Sequence, residues 1–276
     1  MNKIIFFLVL LLAVFSCQKS GQSQKIVESV TSKKEVTDSF RDWWASYKTD
    51  IELHKDFKAL DADGRKITKQ DFLKTLSQGN HIPVLPERRD AEITYQLHKL
   101  SREADKNISG TVSNEALTFL HYYSLEGSKF PNFSFTDLGG NKISSADLIG
   151  KNTIFKTWFI NCQACIEEFP KCNDFADKYS DHPGIQFISL ATDNPDELAE
   201  FLKTKKLNYQ TISRQQDLIQ RTLGLNVYPT HILVGPDGKI VKMTNNFDDF
   251  TEYVELEYEL KNLMSNVVDV ILPPAH

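Results

Sequence analysis

The sequence predicts two folded units, a small all-α unit followed by a larger α/β unit in which helices cover both faces of a sheet. Between residues 38 and 126, apolar and aromatic residues recur at helical spacing. From residue 128 onward, short β-branched and aromatic runs alternate with amphipathic segments. The pattern changes at Gly127-Ser128, so we place the second unit at residues 128–276.

Length and composition fit this division. A chain of 276 residues suits a short leader plus two domains. The hydrophobic content of 41% and the charged content of 25% are ordinary for a soluble globular protein. The formal net charge of -5 gives no basic surface for nucleic acid, so we expect no nucleic-acid partner.

The first 17 residues differ from the rest of the chain. A weakly positive start precedes an unbroken apolar run over residues 4–15, too short to span a bilayer comfortably and typical of a secretory signal peptide. Because Cys17 follows at once, the segment resembles a bacterial lipoprotein signal, with residues 1–16 as the signal peptide and Cys17 as the lipidated residue. Phe15 departs from that family, which usually has a small residue there. A plain secreted protein is the alternative.

Residues 17–37 are rich in Ser, Lys, Gln and Thr and show no apolar period, which predicts a flexible tether. With lipid on Cys17, this tether would hold the folded part at a membrane surface of a bacterial cell envelope, facing the periplasm.

Three helical runs are predicted in the first unit. The second covers residues 91–103 and the third residues 114–124. Residues 80–86 contain two prolines and form the predicted linker between helix pairs. The first run is carried by an aromatic stripe that we assign to core packing, formed by Phe40, Trp43, Trp44 and Tyr47.

Residues 105–116 resemble an EF-hand calcium loop, with oxygen side chains at loop positions one, three and five and glycine at six. Position twelve is Ala116, where a bidentate carboxylate belongs. Residues 61–72 resemble a second such loop that is one residue short. Two interpretations stay open: weak calcium binding, or a degenerate EF-hand-like pair kept for structure or partner contact. The ligands implied by the resemblance are Asp105, Asn107, Ser109 and the Thr111 carbonyl.

Strands and helices alternate along the second unit, which predicts the layered α/β arrangement. Strands are predicted at residues 153–159, 185–191, 209–213, 230–234 and 240–243, and helices at residues 164–179, from 194 onward, 216–223 and 248–264.

Cys162 and Cys165 lie where the strand over residues 153–159 ends and a helix begins. Two thiols at this spacing can close a small disulfide ring, or open to a dithiol, with little backbone movement. A helix beginning at the first cysteine would favour its thiolate, which is the reactive species. Cys162 would then be the exposed nucleophile, and Cys165 the sulfur that resolves a mixed disulfide.

A zinc site is the alternative for this pair, since Cys-x-x-Cys is also half of a zinc-binding motif. Such a site needs two further ligands. Apart from Cys17, only Cys172 remains, within the same helical stretch. We therefore favour redox chemistry over zinc, and we expect Cys172 to be a free, buried thiol.

Residues 129–264 resemble the TlpA/ResA-like branch of the thioredoxin superfamily. The resemblance is carried by Trp158 before the Cys162–Cys165 motif, by Glu168 with Pro170, and by Val227-Tyr228-Pro229-Thr230 followed by a Pro-Asp-Gly turn. It implies a thiol-disulfide oxidoreductase that exchanges disulfides with protein substrates and with an upstream thiol donor or acceptor. It implies no cofactor beyond the redox-active disulfide itself.

The resemblance also implies roles for single residues. Pro229 would be a cis-proline beside the disulfide, next to backbone that pairs with a substrate strand; an ordinary trans turn is the alternative. Glu168 would tune the thiol pKa or relay a proton, or else be a solvated helix carboxylate. We assign Trp158 to packing and His231 to structure. Gln163 and Ala164 between the cysteines depart from the family's usual residues, so the direction of exchange stays open.

Three other functions are alternatives to a thiol-disulfide oxidoreductase. A thiol peroxidase needs Thr-x-x-Cys, and Thr157 lies five residues before Cys162. A copper chaperone of the related kind needs Cys-x-x-x-Cys and a histidine. A lipid-anchored, calcium-responsive or partner-binding scaffold with a non-catalytic fold is the main alternative to the enzyme.

Overall fold

The computed structural model describes residue 37, residues 39–85 and residues 92–257. The predicted leader, Cys17, nearly all of the tether and the end of the last helix lie outside these residues. Among the residues described, no helix is both long and apolar enough to cross a membrane.

The first unit contains a sheet as well as helices, so the prediction of an all-α unit was wrong. Its four strands lie in the order β2-β1-β4-β3, and β1 and β4 are parallel. The elements are α1 (Phe40–Asp50), β1 (Lys58–Leu60), β2 (Lys66–Ile67), α2 (Lys69–Leu76), β3 (His81–Val84), β4 (Thr94–Lys99) and α3 (Lys106–Leu125).

Two predicted elements of this unit become strands. The predicted helix over residues 91–103 is β4, in which Tyr95 and Leu97 are buried, two residues apart, as a half-buried strand requires. The predicted linker over residues 80–86 contains β3, which pairs antiparallel with β4. Pro83 is tolerated there because β3 lies at the edge of the sheet.

Neither EF-hand-like segment is a calcium loop. Residues 106–125 form the continuous helix α3, whose buried stripe of Ile108, Val112, Ala116 and Phe119 outweighs the helix-weakening Gly110. Residues 61–65 form the tight turn between β1 and β2, and residues 69–72 begin α2. The EF-hand interpretation was therefore wrong for both segments.

The second unit has the predicted α/β architecture. Its main sheet has the order β11-β10-β7-β8-β9, with β10 antiparallel to both of its neighbours. The strands and α-helices are β5 (Ser134–Thr136), β6 (Lys142–Ser144), β7 (Asn152–Trp158), α4 (Gln163–Glu167), α5 (Phe169–Lys178), β8 (Ile185–Ala191), α6 (Pro195–Thr204), β9 (Gln210–Ile212), β10 (Thr230–Val234), β11 (Ile240–Thr244) and helix α7 at residues 247–257. A short 3-10 helix covers Ser145–Leu148, and the predicted helix over residues 216–223 is a π-helix at Asp217–Thr222.

The predicted helix over residues 164–179 is split at Glu168 into α4 and α5. Pro170 is at the first turn of α5, where its missing N–H leaves no hydrogen bond unmade. At this break the Glu168 side chain meets Lys156 and His231 of the sheet.

The two units share one apolar core. Helix α3 lies against the second unit, where the Tyr122 hydroxyl and Thr230 Oγ1 are 2.8 Å apart and His121 Nε2 lies 2.7 Å from the Leu223 carbonyl. Phe155, Ile188 and Ile232 of the main sheet belong to the same buried cluster as α3. The other face of that sheet packs against α4, α5 and α7 and carries both cysteines.

Candidate active site

Cys162 and Cys165 are joined by a disulfide at the start of α4, with their Cα atoms 5.2 Å apart. Cys162 is the N-cap residue, and its Sγ accepts a hydrogen bond of 3.2 Å from the Cys165 N–H. Its side chain is 7% exposed, whereas Cys165 is completely buried. Only Cys162 is therefore open to attack from outside.

The turn before Cys162 is held in place by two hydrogen bonds that its backbone N–H groups donate. The Ile160 N–H donates to Asp193 Oδ2 at 3.0 Å, and the Cys162 N–H donates to the Phe159 carbonyl at 3.0 Å. Both bonds fix where Cys162 leaves the sheet, since β7 ends at Trp158. Trp158 is fully buried and packs edge-on against Phe169, as its predicted packing role requires.

The loop before β10 approaches the same turn. The Tyr228–Pro229 peptide bond is cis, as the sequence resemblance implied. The Tyr228 ring meets Phe159 edge-on at 5.3 Å, and the Thr230 N–H donates to Thr157 Oγ1 at 3.0 Å. These contacts fasten the segment around Pro229 to the end of β7.

Three ionisable side chains meet beneath the cysteine turn. Glu168 Oε2 accepts from the Lys156 ammonium and lies 3.0 Å from His231 Nε2. Lys156 and His231 are fully buried, whereas the Glu168 side chain is 20% exposed. Glu168 is thus not the freely solvated helix carboxylate of the alternative interpretation, and His231 is more than inert packing.

The pKa values follow from these contacts. Burial alone would raise the pKa of Glu168, but the hydrogen bonds from His231 and Lys156 and the charge of Lys156 outweigh it, so this pKa lies below its ordinary value. Burial lowers the pKa of His231 to about 4 against the opposing pull of Glu168. At neutral pH the carboxylate is ionised and the imidazole is neutral.

Cys172 is a free, buried thiol, as predicted. Burial raises its pKa to about 12, so the thiol stays protonated and unreactive. It lies four residues after Glu168, whose carbonyl accepts the Cys172 N–H.

The four implied calcium ligands do not converge. Asp105 is the N-cap of α3 and accepts from the Asn107 N–H at 2.9 Å. The Ser109 hydroxyl donates to the Gly79 carbonyl, while Thr111 lies inside the helix. Side chains two residues apart on a helix point in nearly opposite directions, so these oxygens cannot surround one ion.

The sequence reasoning did not single out Lys156. A signal was present, because strict alternation along the strand places position 156 on the same inward face as Ile154 and Trp158. Lysine is almost never fully buried unless it is paired. The partner was not visible, since no local pattern shows that Glu168, twelve residues further along the chain, contacts the strand.

Comparison with known proteins matches the second unit. The AhpC/TSA family matches residues 127–243. The thiol-disulfide oxidoreductase ResA of Bacillus cereus is 32% identical over 127 residues, which cover 44% of this chain and 73% of that protein. ResA of Bacillus subtilis is 28% identical over 120 residues, or 43% of this chain and 66% of that protein. A thioredoxin domain of a Bacteroides vulgatus thiol-disulfide oxidoreductase superposes with a TM-score of 0.43 at 26% identity, covering 47% of this chain and 95% of the other.

Proposed function

The chain belongs to the ResA family of thiol-disulfide oxidoreductases, and on that premise we propose that it exchanges disulfides with protein substrates through Cys162 and Cys165. The observation that carries this proposal is the unequal exposure of a bonded pair: a partly open Cys162 and a completely buried Cys165. An attacking thiol must meet a foreign disulfide, whereas a resolving thiol needs only to meet its neighbour.

The exchange proceeds in two steps in the reducing direction. The Cys162 thiolate attacks one sulfur of the substrate disulfide, and the other substrate sulfur leaves as a thiolate that takes up a proton. Cys165 then loses its proton and attacks Cys162 Sγ, which expels the second substrate sulfur. The substrate gains two electrons, the Cys162–Cys165 disulfide reforms, and an upstream thiol donor regenerates the dithiol. Oxidation of a substrate is the reverse sequence.

Two further residues take part in this proposal. Glu168 lies three residues after Cys165 and one helical turn away, close enough to accept the proton that Cys165 must lose. Pro229 lies in the segment fastened to the end of β7, where a substrate strand would align beside the disulfide.

Insulin reduction with dithiothreitol tests the activity. We expect turnover by the wild-type chain, its loss in Cys162→Ser, and its retention in the matched control Cys172→Ser. A folded wild-type protein that gives no turnover with any thiol donor would exclude the proposed activity.

We also propose that the chain is exported and held at a membrane through lipid on Cys17, with protein thiols of the cell envelope as partners. Support comes from the leader sequence and from the cysteine that directly follows it. Fractionation of cells expressing the full chain would place the protein with membranes. Cys17→Ser would release it, and a Cys17→Ser protein that stays in the membrane fraction would exclude the lipid anchor.

The alternative of a calcium-responsive scaffold with a non-catalytic fold is not favoured. Its premise was the pair of EF-hand-like loops, and those segments are a β-turn and a helix. The cysteine pair, which such a scaffold does not need, is in place.

A further inference from the structure

Lys156 takes no part in the thiol chemistry proposed above, yet it is completely buried in the strand that leads to Cys162. Its ammonium donates to Glu168 Oε2. Moving a charge out of water is strongly unfavourable unless the charge is paired and hydrogen-bonded. A lysine here therefore needs the carboxylate, and the carboxylate is placed one turn from Cys165.

His231 meets the same carboxylate oxygen. It lies directly opposite Lys156 on β10, so the two side chains share one face of the sheet. Its Nδ1 has no hydrogen-bond partner within the described part of the chain, and its ring lies against Phe247 and Phe250. This arrangement suits a neutral imidazole whose Nε2–H donates to Glu168, because a second N–H would have no acceptor.

Glu168 connects these two residues to the thiols. It follows Cys165 by three residues and precedes Cys172 by four, so its Cβ lies about 5–6 Å from each of theirs on the helical surface. The charge of Lys156 lowers the pKa of the buried Cys172 thiol, and the charge of Glu168 raises it. Because Glu168 lies one helical turn from Cys165, the lysine–glutamate pair is also close enough to act on a thiolate at Cys165.

The partly exposed Glu168 side chain also faces a cleft. This cleft has a volume of about 420 Å³ and lies between α1, α3 and the start of α7. Other charged or titratable groups face Glu168 from the elements around it, and they are Lys171, Cys172, Tyr209 and, across the cleft, Lys48, His54, Glu115 and Asp248. Lys171 is paired with Asp248 at 2.7 Å, and Glu115 accepts from the Tyr47 hydroxyl at 2.6 Å. Among the residues that the structure describes, only Lys156 and His231 are hydrogen-bonded to the carboxylate.

We propose that Lys156 and His231 are positioning residues of the redox site, which hold Glu168 ionised and turned towards Cys165. The thiols then ionise beside a lysine–glutamate ion pair that has no net charge. The proposal deepens the proposed function and rests on it. In this site the carboxylate beside the thiols is paired with an ammonium, which distinguishes it from a site that has a lone carboxylate there.

The sign of each effect follows from Coulomb interactions. A lone carboxylate beside Cys165 disfavours a second negative charge and raises the thiol pKa. A lone ammonium has the opposite effect. Removing Lys156 and removing Glu168 should therefore shift thiol ionisation in opposite directions, and removing both should nearly restore the wild-type value.

Alkylation of the reduced protein with iodoacetamide, followed at Cys162 by peptide mass spectrometry across the pH range, measures this ionisation. At neutral pH we expect Lys156→Met to react roughly threefold or more slowly than wild type and Glu168→Gln roughly threefold or more faster. The double variant should react within about twofold of wild type. His231→Phe should follow Glu168→Gln in direction, with a smaller change, because Glu168 is then held less firmly in its ionised form. The matched control Ile154→Val changes the same buried face without a charge and should leave the profile unmoved.

Two results would overturn the proposal: Lys156→Met and Glu168→Gln shift alkylation in the same direction, or the double variant reacts more than about twofold faster or slower than wild type. If Lys156→Met does not fold, Glu168→Gln decides alone, because slower or unchanged alkylation excludes a lone ammonium beside the thiols. The measurement needs no protein substrate. A chain without insulin turnover would therefore contradict the proposed function, whereas an unchanged alkylation profile would contradict this inference alone.

Discussion

Lys156 and His231 lie directly opposite one another on β7 and β10, both fully buried, and both reach the same oxygen of Glu168. Cross-strand neighbours point to one face of a sheet. Here that face is the one that packs against the helix carrying the cysteines. The pairing makes the interior beneath Cys165 polar, and two measurable consequences follow for stability.

The neutral state of His231 makes stability depend on pH. The pKa is about 4 in the folded chain and near the ordinary 6.5 in the unfolded chain, so the unfolded chain binds this proton first as the pH falls. The contribution of His231 is therefore complete above pH 6.5 and is lost as the pH falls from 6.5 towards 4, by about 3 kcal/mol.

His231→Phe should remove that loss, which urea unfolding across this pH range would show. The exposed His182 is the matched control, and His182→Gln should keep the wild-type slope. The pKa of Glu168 is lowered by folding, so the stability that its carboxylate contributes is lost only as the pH falls below its ordinary pKa of 4.5. An unaltered slope in His231→Phe would show that another group carries the dependence.

The Lys156–Glu168 pair should also appear in a double-mutant cycle of stability. Glu168→Gln leaves a buried ammonium without its counter-charge and should cost roughly 3 kcal/mol in the free energy of unfolding. The additional change Lys156→Met should recover part of that cost, giving a coupling energy of roughly 1–3 kcal/mol. Additive costs in urea unfolding would mean that the two charges do not stabilise each other.

Cys172 should take no part in the thiol-disulfide exchange. With its pKa raised to about 12 and its side chain buried, it should react with iodoacetamide only after unfolding, whereas reduced Cys162 reacts in the folded protein. Cys172→Ala should leave insulin reduction unchanged and cost roughly 1 kcal/mol for the lost buried sulfur. Loss of insulin turnover in Cys172→Ala would instead show that Cys172 takes part in the exchange.

Asp105 should act as a helix cap and not as a calcium ligand. Asp105→Ala removes the acceptor for the Asn107 N–H and should cost about 1 kcal/mol, equally in calcium and in a chelator. Thr68, which caps α2 by accepting from the Asp71 N–H at 3.0 Å, offers a control of the same kind. Calorimetric titration should be silent at millimolar calcium, and measurable heat that vanishes in Asp105→Ala would restore the calcium site.

The strands of the second unit could be predicted because each is a short β-branched or aromatic run between turn residues. The segments Ile185–Ala191 and Thr230–Val234 have the predicted bounds. Their register could not be predicted, since no local pattern pairs His231 with Lys156. For that reason the sequence located the cysteines and Glu168 but not the lysine beneath them.

The first unit shows where local patterns mislead. Ile93, Leu97 and Leu100 fit helical spacing, yet Tyr95 and Leu97 are the buried pair, and the strand is stabilised by parallel pairing with β1, which lies far away in sequence. Residues 105–116 likewise resemble a loop motif. Residues 106–125 nevertheless form α3, because only a helix buries their apolar stripe against the rest of the fold.

Trapping of a mixed disulfide tests the central claim most directly. The reduced Cys165→Ser chain, mixed with a protein disulfide such as insulin, should form a covalent adduct that peptide mass spectrometry locates on Cys162, and Cys162→Ser should form none. An adduct on Cys172, or no adduct from a folded Cys165→Ser chain, would contradict the account.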